Sequence, residues 1–367
     1  MRVEKQEVKV GELAAGQALS LPVYRFHGKG KGPSVYIQAN VHGAEVQGNA
    51  VIYQLMKLLE HYELLGDISL VPLANPLGIN QKSGEFTLGR FDPITGVNWN
   101  REYLNHSLDI AAWYAAHSEL DDDSLVAAFR TELIAACERK LDNVWGVTTG
   151  QWLATSLQAM AHRSDIVLDL HTGPKSCKHL YCPEYEREAA QYFSIPYTLF
   201  IPNSFGGAMD EAAFVPWWTL AEVAAAHGRE LGVRVSALTL ELGSQERIDL
   251  ADALNDAEGI LAYLSYRGVI AEKVLPKPMK RFGCLLKDYR KFHAPKAGMV
   301  EYVGKVGQPM KAGDVLVNLL RLDLYGTGEE LTALKLPEDG VPILHFASAS
   351  VHQGTELYKV MTKVFAL

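Results

Sequence analysis

The chain has 367 residues, with 35 lysines and arginines against 43 aspartates and glutamates and a formal charge of −8, a balance that disfavours nucleic acid and anionic membrane as main partners. Hydrophobic residues make up 48% and charged ones 21%, so a large packed core is available and disorder is not expected. The start, Met1 to Glu7, lacks an apolar signal region, and no stretch approaches the roughly 18 apolar residues of a membrane span, so a cytoplasmic protein is expected.

Val35 to Val41 reads as a strand that stops at His42-Gly43, and Ile52, Leu55 and Leu59 then mark a helix face. Ile68 to Leu73 is a second strand, ending in the turn cluster Asn75-Pro76-Leu77-Gly78 and opening a polar stretch to about Asn105. Asp121-Asp122-Asp123-Ser124 caps a helix to about Leu141, and Gln151 to His162 is a second helical segment. Ile166 to Leu170 is a buried strand ending in His171-Thr172-Gly173. Ala213 to Leu231 reads as helix, Ala237 to Leu242 as strand, and Leu250 to Arg267 as helix. This alternation predicts an α/β fold, a mostly parallel mixed sheet flanked by helices, over residues 1–277. From 278 to 367, short runs separated by glycine and proline predict a smaller all-β domain. Cys177 and Cys182 form a lone C-x4-C pair, weak ground for a structural zinc or a disulfide.

Three strand ends carry groups capable of chemistry, and in open α/β sheets ligands bind outside the carboxyl ends of strands. His42 and Glu45 form H-x-x-E, which sets an imidazole and a carboxylate on one turn. A catalytic zinc needs a third protein ligand, for which His171 is the best candidate. Asp169, two residues before His171 on the same strand face, is a candidate to orient its surroundings. Glu241, a carboxylate in the apolar strand Leu238 to Gly243, is a candidate general base. In the long loop, Asn100-Arg101 suits a substrate carboxylate and Arg90 a developing oxyanion. His179 is a candidate to face substrate.

The order of motifs, H-x-x-E, Asn-Pro-x-Gly, Asn-Arg, Asp-Leu-His and Glu-x-Gly, resembles the succinylglutamate desuccinylase/aspartoacylase family of zinc carboxypeptidase-like enzymes. Ala294 to Asp314 and Val351 to Leu357 look like that family's C-terminal β domain, near the active-site entrance. The resemblance implies one zinc per chain on His42, Glu45 and His171, a catalytic Glu241, and substrate binding by Arg90, Asn100 and Arg101. It further implies a deacylase acting on a small N-acyl amino acid. Asn98-Trp99 ahead of Asn100-Arg101, and a longer loop from Arg90, depart from the family pattern. A zinc carboxypeptidase for short peptides would use the same residues, with Lys175, Lys178 or His179 favouring an acidic acyl group instead. A non-catalytic binding protein is the rival of another class. The sequence leaves a homo-oligomer open.

Overall fold

The computed structural model of the protein describes residues 2–367. Its main sheet has ten strands in the spatial order Arg2–Glu12, Ala18–His27, Ile68–Val71, Val35–Ala39, Ile166–Gly173, Ser236–Ser244, His179–Pro183, Tyr197–Ile201, Phe282–Leu285 and Phe365–Ala366. The central strands are buried on both faces because their alternate side chains enter two different cores. Val35, Ile37, Ile166, Leu168, Leu170, Leu238 and Leu240 join one core with the helices Gln47–Leu59 and Leu250–Tyr266. Tyr36, Val167 and Ala237 point the other way, into a core with Asp122–Leu141, Thr149–Ala161 and Met209–Ala226. The sheet is thus covered on both sides, as the alternation predicts.

Three features differ from the sequence reading. Arg2–Glu12 and Ala18–His27 form an antiparallel hairpin that extends the sheet, although its first strand is mostly solvated and carries no continuous apolar run. The helix expected from Ala213 to Leu231 runs instead from Met209 to Ala226. It begins earlier because the Glu211 carboxylate accepts the backbone N–H groups of Gly206 and Ala208, and it stops at Gly228, whose φ of 78° suits glycine. The long polar stretch is also not bare loop. It holds a short helix, Pro76–Asn80, a small hairpin and a 3-10 turn at Trp99–Arg101.

The C-terminal part carries two four-stranded sheets. One orders Leu331–Lys335, Val315–Leu320, Gly298–Tyr302 and Ser350–Val351; the other orders Tyr289–His293, Glu356–Thr362, Gly340–His345 and Lys175–Ser176. The last of these strands comes from the segment just after His171, while Phe282–Leu285 and Phe365–Ala366 lie in the main sheet. Tyr197, Leu199, Cys284, Val341, Ile343 and Met361 form one apolar cluster across the junction. The C-terminal β part is therefore stitched to the strand ends that carry the chemistry. All four cysteines are free, so the C-x4-C pair is no disulfide, and no helix among the described residues is long and apolar enough to cross a membrane.

Candidate active site

Strand register brings the reactive side chains together. Gln38 pairs with Asp169, Asp169 with Thr239, and His171 with Glu241 across three neighbouring strands. Because side chains repeat their face every second residue, Gln38, Asp169, His171, Thr239 and Glu241 all project to the face that holds Tyr36 and Val167. On the far side of Glu241, His179 is its antiparallel partner.

His42 reaches this row through a sharp turn. Asn40 adopts a left-handed φ of 69°, and its Nδ2 donates to the His42 and Gly43 carbonyls. Asn75, from the Asn-Pro-x-Gly cluster, donates to the Val41 carbonyl at 2.9 Å and accepts from the Gly78 N–H at 2.8 Å. It thereby ties the ends of two strands together. Here only glycine fits: a Cβ on Gly43 or on Gly89 would stand 2.0 Å from the Gly78 carbonyl oxygen. The same packing aims the loop that carries Arg90.

His42, Glu45 and His171 are buried, and each offers a ligand atom within 4.8 Å of the others. The Nδ1 atoms of both imidazoles meet the Glu45 carboxylate at 2.9 Å. Their opposite edges are held as well, His42 Nε2 by Asn98 Oδ1 and His171 Nε2 by Asp169 Oδ2, both at 2.8 Å. The Asn98 oxygen also accepts the Asn100 backbone N–H, and Asp169 accepts from Gln38 Nε2, so both partners are fixed as acceptors. With an ion bound, each ring would keep its proton on Nε2 for that acceptor and turn Nδ1, the atom now against Glu45, to the ion, which is the Nε2-protonated tautomer. That tautomer is the one a metal requires, and the donor set of two imidazoles and a carboxylate suits zinc. The residues fit the ion.

Electrostatics inside this cluster follow from burial working against neighbouring charge. Burial lowers His42. For His171 burial acts the same way, but Asp169 and then Glu45 outweigh it and hold the imidazole well above its ordinary range. Burial would raise Glu45, yet His42 and His171 outweigh that and hold it well below the usual carboxylate range. For Glu241 the compensation falls short: burial, followed by repulsion from Glu45, pushes it up to about 7 against the opposing charges of His171, Arg90 and Lys359. Its Oε2 is enclosed with no hydrogen-bond partner. A carboxylate balanced near neutrality, with a free oxygen beside candidate metal ligands, can take up and release a proton.

Arg90, 46% exposed, donates to Glu45 Oε1 at 2.9 Å, so its guanidinium borders the cluster. Asn100 is buried, with Nδ2 3.5 Å from His171 Nε2 and Oδ1 unpartnered. Arg101 is exposed, and of its groups NH1 donates to the Asn100 carbonyl at 2.6 Å. His179 is fully buried, its Nδ1 3.1 Å from the Cys177 carbonyl and its Nε2 unpartnered. Burial lowers it to about 4, so it is neutral at pH 7.

Lys178 is spent elsewhere, in ion pairs with Asp252 at 2.6 Å and Asp256 at 2.7 Å, and is not free to recognise an acyl group. The C-terminal part contributes a further cation, Lys359, on the Glu356–Thr362 strand. It is half-buried, stands 5.9 Å from the Tyr289 ring, and its charge acts on Glu241. Tyr289 in turn lies 6.5 Å from His179, ring centre to ring centre. Neither Lys359 nor Tyr289 carries a motif, and only the three-dimensional pairing of sheets brings them here. Gln38 had a weaker sequence signal, a polar residue in a buried strand.

The fold and this cluster define an α/β protein with a candidate metal site at the carboxyl ends of its central strands. The chain belongs to the succinylglutamate desuccinylase/aspartoacylase family, whose catalytic-domain model matches residues 31–267; this is a family of hydrolases, and deacylase activity follows as its general chemistry. A succinylglutamate desuccinylase/aspartoacylase family protein of Shewanella amazonensis is 86% identical, with 99% of this chain and 100% of that one covered and a TM-score of 0.98. A second, of Shewanella frigidimarina, is 69% identical over 99% and 98% of the two chains, again at 0.98. The Rhodobacter sphaeroides succinylglutamate desuccinylase/aspartoacylase shares the fold, with 18% identity, coverage of 98% and 94%, and a TM-score of 0.69. No curated protein matches the chain.

Proposed function

We propose that the protein is a cytoplasmic, zinc-dependent amidohydrolase that removes the acyl group from a small N-acyl amino acid. The observation that supports this most is Glu241: a carboxylate raised to about 7, with a bare oxygen, in register beside His171. His42, Glu45 and His171 would hold the ion, whose Lewis acidity lowers the pKa of bound water to about 7 and polarises a carbonyl. Glu241 accepts the proton of the attacking water and delivers it to the amine as the C–N bond breaks, giving a carboxylic acid and a free amino acid. Asn100 and Arg101 grip the substrate carboxylate, Arg90 holds the developing oxyanion, and His179 borders the substrate. Asp169 and Asn98 keep the imidazoles in the ligating tautomer.

The half-buried Lys359, whose ion pair with Glu356 is a loose 3.7 Å, fits the far end of an acidic acyl group. In this reading residues 1–277 form the catalytic unit, and residues 278–367 form a β unit that limits the entrance to small substrates. A panel of N-acyl amino acids and peptides offered to zinc-loaded protein tests it. The expected result is turnover fastest with short acidic acyl groups. Rapid trimming of a peptide of about ten residues would move the assignment to a carboxypeptidase, and tight metal binding without any hydrolysis would leave a binding protein.

A further inference from the structure

A second group of ligand-type side chains is built from a loop and two helices, with no residue in common with the strand-end group. His106 comes from the loop after Arg101, Cys137 from the Asp122–Leu141 helix, and His162 from the end of the Thr149–Ala161 helix. Each offers a ligand atom within 4.8 Å of the others, with Cys137 and His162 buried. The two imidazoles point Nε2 to Nε2 across 2.9 Å. Two zinc-bound nitrogens at roughly 2.0–2.1 Å and a tetrahedral angle stand about 3.3 Å apart, so a small opening of this contact would admit the ion. Gln158 frames the group: it accepts the Leu104 N–H at 2.7 Å, donates to the Leu104 carbonyl at 3.0 Å, and touches both imidazoles at 3.2 and 3.3 Å. The loop bearing His106 is therefore docked in place before any ion binds.

We propose that His106, Cys137 and His162 form a second metal site, for zinc or another thiophilic divalent ion, that pins the loop following Asn100 and Arg101 to two helices. The ligand chemistry is mixed nitrogen and sulfur, the set that zinc takes in structural sites, whereas the strand-end group has no sulfur. Both Nδ1 atoms are buried without a partner, so either ring can carry its proton there and leave Nε2 free to ligate. The Cys137 thiol is fully buried, so binding must displace its proton to solvent. Arg139 and Arg130 face the imidazoles and Glu132 and Glu138 lie on the same helix as the thiol, so charges of both signs surround the site. A surface cavity of about 360 Å³ is lined in part by His106, and Cys137 and His162 lie outside its lining.

Cobalt(II) separates this site from the strand-end one. Metal-free full-length protein titrated with cobalt should take up a second equivalent that brings a near-ultraviolet sulfur-to-cobalt charge-transfer band. Cys137→Ser should abolish the band and lower the stoichiometry by one. His106→Ala, a change at a half-exposed loop position that spares the helices, should weaken the band's titration at least tenfold, with near-ultraviolet circular dichroism reporting the fold. Glu45→Gln should disturb only the sulfur-free equivalent. A wild-type titration without the band, or a band that survives both Cys137→Ser and His106→Ala, overturns the proposal. The outcome is independent of whether the strand-end site hydrolyses anything.

Discussion

His171 and Glu241 sit on adjacent strands in the middle of a ten-stranded sheet, whereas Arg90 and Arg101 sit in the long stretch that follows the Ile68–Val71 strand of the same sheet. His171 is 2% exposed and Arg90 46%. On the strands, position is set by backbone pairing, and His171 is held further by the buried Glu45 and Asp169. On the loop, position rests on turns such as the one Asp92 makes with Ile94 and Thr95, and on the Glu246 carboxylate, which accepts the Thr87 N–H. The rigid half suits bond breaking, where small displacements are costly, and the loop half suits grip on a substrate that must arrive and leave.

The largest effect should come from the rigid half. Glu241→Gln keeps shape but removes proton transfer, so kcat should fall roughly 10²- to 10⁴-fold with metal content unchanged. Comparable turnover would take Glu241 out of the mechanism and erase the contrast. One layer back, Asp169→Asn should weaken metal affinity about 10- to 100-fold, since Asp169 accepts from both His171 and Gln38. Equilibrium dialysis against a metal buffer reads it, and unchanged affinity would make Asp169 a strand-end filler.

The loop half should respond in KM. Arg101→Lys replaces a planar fork by a point charge and should raise KM about tenfold with kcat nearly constant. A substrate with its carboxylate capped as an amide should then bind the variant almost as it binds the wild type. If the cap still costs the variant its full penalty, the carboxylate is held elsewhere.

Legibility in the sequence followed the same division. H-x-x-E, Asp-Leu-His and Glu-x-Gly could be placed at one crevice because ligands in open α/β sheets bind outside the carboxyl ends of the strands, and the two-residue strand repeat put Asp169 and His171 on one face. Helix ends, by contrast, shifted where long-range or turn geometry decided them, as at Met209 and Gly228. Lys178 looked available because its partners, Asp252 and Asp256, stand on a helix 74 and 78 residues away. Lys359 was silent for the converse reason: a lysine in an alternating strand reads as solvated until a second sheet is folded against its face. Asn98, which breaks the family pattern, is the residue that fixes His42.

The smallest effect tests whether the C-terminal part belongs to the chemistry or only to the entrance. Glu241 must be ionised to act as a base, so kcat/KM should rise with pH through its pKa, raised to about 7 by burial and then by Glu45. The positive charge of Lys359 opposes that shift, which means that removing it makes the carboxylate harder to ionise. Lys359→Met should therefore move the acid limb of the pH profile to higher pH, on the order of half a unit, the size one charge produces across a partly solvated gap. High salt should shrink the displacement, because an incompletely buried pair is screened. Acyl specificity gives the second reading of the same variant: if Lys359 also meets an acidic acyl group, substrates with that group should lose several-fold more kcat/KM than neutral acyl substrates at a pH well above the limb. An unmoved limb with equal losses would confine Lys359 to packing against Tyr289 and leave the chemistry to the central strands.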